Sequence, residues 1–224
     1  AWSVTDLKSD FGREAFGVDK DLSHYDFHFG VHPNERFDCM ELPVWQTTTG
    51  APMERVRLLL EHDVALYSAH IPLDAHADVG NNHVLARAIG LTAIASFDSY
   101  RGAPVGVQGV LEPGLPRQAF VDLVVKQIGG AARLIAGGPE LCRRIGIITG
   151  GAGGRIGNAA AAGLDTYVTG EGAHHTYFDA MEFGVNAIYA GHYATETVGV
   201  KALAEHLSRK YGIPWEFHDH PTGM

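Results

Sequence analysis

The stretch from 145 to 189 decides the fold, because it alternates apolar runs with segments of helical character. Its predicted strands are Ile145-Gly-Ile-Ile-Thr149, Asp165-Thr-Tyr-Val-Thr169 and Val185-Asn-Ala-Ile-Tyr189. Between them, the spacing of apolar residues predicts helices over 158–162 and 174–183. Short apolar strands that alternate with helices are typical of α/β proteins.

The same alternation extends towards the N-terminus. The pattern predicts strands at 64–68, 91–97 and 105–111, and helices at 52–62, 82–89 and 117–128. Asn81 or Asn82 is the expected cap of the second of these helices. We therefore predict an α/β fold in which residues 1–224 form a single domain of two α/β lobes with largely parallel or mixed sheets. Pro113-Gly114 marks the expected meeting point of the lobes, near 112–116.

Composition excludes several classes of protein. The net charge of -9 argues against a nucleic-acid or membrane-surface binder, because both need a basic face. Two cysteines in 224 residues do not make a disulfide scaffold, and no apolar run reaches the length of a membrane span. The N-terminal residues lack the pattern of a secretory signal, so we expect a cytoplasmic protein. The 13 histidines point towards metal sites of imidazole and carboxylate.

Histidines and carboxylates follow three of the predicted strands, where α/β proteins place their sites. They are His70 and Asp74, then Glu171, His174 and His175, then His192 and Glu196. The spacing of His192 and Glu196 puts both side chains on one face of a helix, where they can converge on one ion.

Each of these residues also has a structural interpretation. Asp74 and Glu171 are typical caps of a following helix, and Glu196 is favourable in a first helical turn. In a functional site, Glu171 would either hydrogen-bond a ligand histidine or act as a base. The run Gly150-Gly-Ala-Gly-Gly154 lacks the spacing of a phosphate-binding loop, and we interpret it as a tight turn.

Five segments together resemble the Nif-three-like dinuclear metal-centre family, also known as GTP cyclohydrolase type two homologues. They are Tyr67-Ser-Ala-His-Ile-Pro-Leu-Asp-Ala-His76, Gly80-Asn-Asn82, Thr169-Gly-Glu-Gly-Ala-His-His175, Ala190-Gly-His-Tyr-Ala-Thr-Glu196 and Phe217-His-Asp-His-Pro-Thr-Gly223. The resemblance covers roughly residues 50–224. It implies two divalent metal ions, a site in the cleft between two lobes, and a ring-shaped homohexamer.

The resemblance also implies which residues bind metal. The matching positions are Asp74, His192 and Glu196, a donor set that suits Zn, Mn, Fe or Co. The family's further ligands come from a His-His pair before the first helix, and this chain has no adjacent pair in that region. The nearest residues are His32, our first choice, and His28. We therefore expect one ion to bind more tightly than the other, or only one to bind.

The function that follows is a divalent-metal-dependent hydrolase, in which Glu171 and His174 are the predicted catalytic residues that move protons. GTP or another nucleotide-like substrate is implied by the family label alone, since the sequence shows no motif for guanine or triphosphate. The alternative is a non-catalytic, metal-binding regulatory or scaffold ring. In both cases we expect no nucleic-acid partner and no membrane association.

Overall fold

The computed structural model describes residues 2–4, 26–29, 51–67, 70–100 and 102–223, which form ten strands and seven α-helices. The strands are β1 (Trp2–Val4), β2 (Asp26–Phe29), β3 (Val64–Tyr67), β4 (Thr92–Tyr100), β5 (Ala103–Pro116), β6 (Arg133–Ala136), β7 (Leu141–Ile147), β8 (Thr166–Thr169), β9 (Asn186–Tyr189) and β10 (Trp215–Phe217). The helices are α1 (Ala51–Glu61), α2 (Ile71–Asp74), α3 (Asn81–Ala88), α4 (Arg117–Ile128), α5 (Ile156–Ala161), α6 (Thr176–Phe183) and α7 (His192–Tyr211). None of the helices in these ranges is long and apolar enough to cross a membrane.

The chain divides into two compact units, each with its own sheet. The smaller unit, Ala1–His70 with Leu203–His220, has a four-stranded sheet in the order β10-β1-β2-β3. In this sheet β2 and β3 run parallel, while β1 is antiparallel to both of its neighbours.

The larger unit, Ile71–Ala202 with Pro221–Met224, has a six-stranded sheet in the order β4-β5-β7-β8-β9-β6. Strands β7, β8 and β9 run parallel to one another, whereas β4, β5 and β6 pair antiparallel with their neighbours. The structure thus confirms the α/β class and shows that this sheet is mixed. The expected placement of a metal site in a cleft between lobes stays a prediction.

Helices cover both faces of the six-stranded sheet. Successive residues of a strand point to opposite faces, and Tyr167 and Val168 of β8 belong to two different buried clusters. Val168 packs in the cluster that contains Phe120 of α4, and Tyr167 packs in the one that contains Ile156 of α5. Full burial of an apolar side chain such as Val168 or Ile156 contributes about 1.5–3 kcal/mol. The strand predicted at 165–169 is therefore buried on both sides.

Helix α4 forms over the predicted range of Arg117–Ile128. Phe120, Val124 and Ile128 share its buried face. Gly129 ends the helix in the left-handed region, with φ 71°, and its N–H donates to the carbonyl of Val125. A residue with a Cβ is disfavoured in this conformation, so glycine at 129 is a helix stop.

Two features of the larger unit differ from the sequence-based expectation. Pro113 and Gly114 lie inside β5, where the pairing with β7 shifts register between Val110 and Leu115. A Pro-Gly pair that suggests a boundary between lobes thus marks an irregularity within one strand. Strand β6 has no counterpart among the predicted strands. It has only four residues and lies at the edge of the sheet, so its sequence contains no long apolar run that would predict a strand.

The asparagines at the start of α3 do not cap the helix, contrary to expectation. The preceding residue is Gly80, and no side chain caps the helix. Asn82 is instead fully buried: its amide donates to the carbonyl oxygens of Asp74 and Val105, and its Oδ1 accepts from the Thr149 N–H. One side chain therefore ties together α2, β5 and the loop after β7.

Replacing Asn82 with alanine should lower the free energy of unfolding by about 2–4 kcal/mol, because it leaves buried backbone groups without partners. Urea denaturation measures the loss. The control is Asn158→Ala, which removes an exposed side chain that donates to Asp98 and should change stability by about 0.5 kcal/mol or less. Equal losses in the two variants would contradict the role assigned to Asn82.

Candidate metal centre

Three possible metal ligands converge in the structure. His70 directly precedes α2, Asp74 is the last residue of α2, and Glu196 lies in α7. One ligand atom from each of the three lies within 4.8 Å of the others. Within the described ranges, no other group of three His, Cys, Asp or Glu residues has this spacing. Imidazole and two carboxylates are a donor set suited to a borderline divalent cation.

Burial makes the two carboxylates of this group unusual. Asp74 is 7% exposed and Glu196 is 5% exposed. Two carboxylates that are close together and withdrawn from water repel each other, and each is costly to keep charged without a positive partner. A bound cation would remove both costs, so the residues present fit a metal ion.

His192 lies beside this group, at the start of α7. Its Nε2 is 3.3 Å from Oε1 of Glu196, and its Nδ1 is 2.7 Å from Oε1 of Glu171. The spacing of four residues therefore does place His192 and Glu196 on one helix face. The Glu196 carboxylate raises the pKa of His192 to about 9 against the opposing effect of burial, and Glu171 adds to the increase. Without metal at neutral pH, an imidazolium lies between these carboxylates.

The glycine-rich loop after β7 supplies the space for these side chains. Gly150 has φ +73°, and a Cβ at this position would overlap Oε1 of Glu196 and come within 3.1 Å of Nε2 of His192. The loop is held in place because the Gly150 carbonyl accepts hydrogen bonds from the Thr169 hydroxyl and the Gly170 N–H. The sequence therefore predicts a loop at 150–154 but not the close approach of Gly150 to Glu196.

Thr149, next to Gly150, offers a further observation. Its Oγ1 is buried and has no hydrogen-bond partner among the residues that the structure describes. Its backbone N–H is held by Asn82. Buried hydroxyl groups almost always have a partner. A group bound beside Gly150 would therefore find an available hydroxyl there.

The structure brings together several of the predicted site residues. Glu196 meets Asp74 in the three-residue group, His192 adjoins Glu196, and Glu171 adjoins His192 on the other side of its ring. Their roles as ligands or catalytic groups stay predictions. His70 is absent from the predicted set of ligands, although it precedes Asp74 by four residues, the same spacing as that between His192 and Glu196.

The remaining predicted residues lie elsewhere or outside the described ranges. His174 is exposed just before α6, and its ring meets the ring of Phe178 edge-on. His28 lies in β2, where its backbone is in register with Leu66 of β3. His32 falls outside the described residues. Their participation in the site stays a prediction.

Comparison with known proteins shows the family of this chain. The model of the family Duf34/NIF3 (NGG1p interacting factor 3) matches residues 43–222. A relative from Deinococcus radiodurans, named GTP cyclohydrolase 1 type 2 homolog, is 46% identical over 176 residues, which are 79% of this chain and 67% of that protein.

Two solved structures are similar over most of the chain. The protein ybgI, of unknown function, has a TM-score of 0.73 and 32% identity, covering 80% of this chain and 73% of its own. The protein TTHA1606 from Thermus thermophilus has a TM-score of 0.70 and 39% identity, covering 79% of this chain and 69% of its own. The fold and the clustered residues define an α/β protein with a candidate metal centre. The chain belongs to the Duf34/NIF3 family.

Replacing Gly150 with alanine should weaken Zn²⁺ binding at least about tenfold, because the new methyl group displaces a ligand side chain from its position. Competition with a chromophoric chelator measures the affinity. The control is Gly184→Ala: Gly184 also has a positive φ, of 68°, but no atom lies within 4 Å of its Cβ position. Both variants carry a backbone cost of about 1–2 kcal/mol, and only Gly150→Ala should lose affinity.

Proposed function

We propose that this chain is a divalent-metal-dependent hydrolase with a dinuclear metal site. The observation that carries the proposal is the convergence of two buried carboxylates, Asp74 and Glu196, with the imidazole of His70. The name of the Deinococcus relative, a GTP cyclohydrolase homologue, supports hydrolytic chemistry and a GTP-like nucleotide as the substrate class.

The residues that would hold metal are His70, Asp74, His192 and Glu196. Zn, Mn, Fe and Co are the ions that suit these donors. When bound, such ions supply an activated water and polarise an oxygen of the substrate. The chain itself positions these donor side chains. Gly150 contributes by having no side chain, which leaves the space that the side chains of Glu196 and His192 occupy.

A second ion needs further donors, and we propose His32 before His28 as their source. Phe29 of β2 is in register with Tyr67 of β3, and the two strands run parallel. His32 follows Phe29 by three residues, as His70 follows Tyr67. Because parallel strands end at the same edge of a sheet, β2 ends beside β3, the strand that precedes His70. His28, in contrast, lies within its strand.

Glu171 and His174 are the proposed residues for proton movement. Glu171 accepts a hydrogen bond from Nδ1 of His192. When the imidazole is neutral, this hydrogen bond keeps its single ring proton on Nδ1. Nε2, which faces Glu196, then has a lone pair that could bind a metal. Glu171 is exposed, so its carboxylate is also accessible to a substrate or water. His174, exposed in the same loop, is the second candidate.

Metal titration beside an assay of GTP hydrolysis tests the proposal. Wild-type protein should bind up to two equivalents of Zn²⁺ or Mn²⁺ and release product, whereas Asp74→Asn and Glu196→Gln should lose both properties. His32→Ala should lower occupancy more than His28→Ala. The control is His206→Ala, at an exposed position of α7, which should behave like the wild type.

The outcomes separate the two functions under consideration. Metal binding without release of product from GTP or related nucleotides would favour the non-catalytic regulatory or scaffold ring. Failure of the wild type to bind either metal would contradict both functions.

We also propose that the chain assembles into a homohexamer. The support is the family resemblance together with an exposed apolar surface on α6, formed by Tyr177, Phe178 and Met181, whose spacing of three and four residues puts them on one side of the helix. Clustered large apolar side chains on a surface are typical of an interface. Light scattering should report the mass of a hexamer, and a monomer at micromolar concentration would contradict this.

A further inference from the structure

We infer that Asn81 is a positioning residue for metal binding: it fixes the carboxylate of Asp74 and ties it to the helix that carries Glu196. The inference rests on the proposed metal site and adds a residue outside its set of ligands. It follows from hydrogen bonds within the larger unit.

The Asn81 side chain joins the two parts of the site. Its Nδ2 donates to Oδ1 of Asp74 at 2.7 Å, and its Oδ1 accepts from the backbone N–H of Gly199 at 2.7 Å. Asn81 is 4% exposed, so both hydrogen bonds are shielded from water. Gly199 follows Glu196 by three residues in α7. A single carboxamide thus connects one buried carboxylate to the helix that bears the other.

The packing around Gly199 shows that α7 accommodates Asn81. A Cβ at position 199 would lie 2.5 Å from Oδ1 of Asn81 and 2.8 Å from its backbone nitrogen. Glycine in the middle of a helix is unfavourable by about 1 kcal/mol relative to alanine. The helix bears this cost at the point where the Asn81 side chain reaches it. Its Gly199 amide is then accessible to a side-chain acceptor.

Asn81 and Asn82, at the start of α3, have different hydrogen-bond partners. Asn82 bonds to backbone groups of three elements and so stabilises the fold, whereas Asn81 bonds to a candidate ligand. A hydrogen bond to a ligating carboxylate fixes its plane, and loss of such partners typically costs 10–100-fold in metal affinity. Asn81 should therefore affect metal affinity beyond its effect on stability.

The test compares Co²⁺ affinity and the visible absorption spectrum of bound Co²⁺ in wild-type protein and four variants. Asn81→Leu removes both hydrogen bonds with little change of volume. Its matched control is Asn186→Leu: Asn186 is equally buried, accepts from the Gly138 N–H and donates to the Pro139 carbonyl. Gly199→Ala keeps every polar group and displaces Asn81. Its control is Gly157→Ala, in α5, where the new methyl group meets the flexible ring of Phe183.

We expect Asn81→Leu and Gly199→Ala to weaken Co²⁺ binding at least tenfold and to change the spectrum, while both controls keep the wild-type affinity and spectrum. If Asn81→Leu does not fold, Gly199→Ala alone decides. Losses no larger than those of the controls would overturn the role of Asn81 and leave the metal site standing. Absence of Co²⁺ binding in the wild type and both controls would overturn the proposed metal site and this inference with it.

Discussion

The constraint on which the candidate site depends is the burial of two like charges at close range. Asp74 and Glu196 come from distant parts of the chain, yet their carboxylates lie within 4.8 Å and almost out of contact with water. A nearby positive charge stabilises carboxylates that are buried close together. When no metal is bound, the imidazole of His192 supplies such a charge, because the Glu196 carboxylate raises its pKa. This arrangement favours a cation site, because apolar packing alone gives no reason to bury two carboxylates beside each other.

The surrounding residues hold the two carboxylates by contacts that need no metal. Asn81 bonds to Asp74, and the bare backbone of Gly150 lies against Glu196. Thr195 accepts from the Gly150 N–H and donates to the Gly191 carbonyl, which joins the glycine loop to the first turn of α7. Preorganisation of this kind means that a ligand meets donors that are already oriented, so little ordering remains to oppose binding.

Local pattern predicted much of the fold. Helix α4 and the buried strands β8 and β9 follow from apolar periodicity and glycine stops, which act over a few residues. The roles of Asn81 and Asn82 could not be predicted in this way, since an asparagine before a helix is ordinarily a cap. Their partners at Gly199 and Thr149 are 118 and 67 residues away, and only the assembled fold shows them. Spacing within a helix predicted that His192 and Glu196 share one face, and family resemblance added their role as ligands, whereas His70 joined the candidate ligands through three-dimensional proximity.

The hydrogen bond between Asn81 and Gly199 also has a consequence for biosynthesis. The two residues are 118 positions apart, so the Gly199 amide that anchors Asn81 does not yet exist when Asn81 leaves the ribosome. At typical rates of about 5–20 residues per second, roughly 6–24 seconds of synthesis separate the two. Throughout this interval the nascent chain carries Asp74 without the helix that completes its surroundings. A chain that stops before α7 therefore lacks both Glu196 and the helix amide that Asn81 contacts, so the candidate metal centre is completed only after α7 is translated.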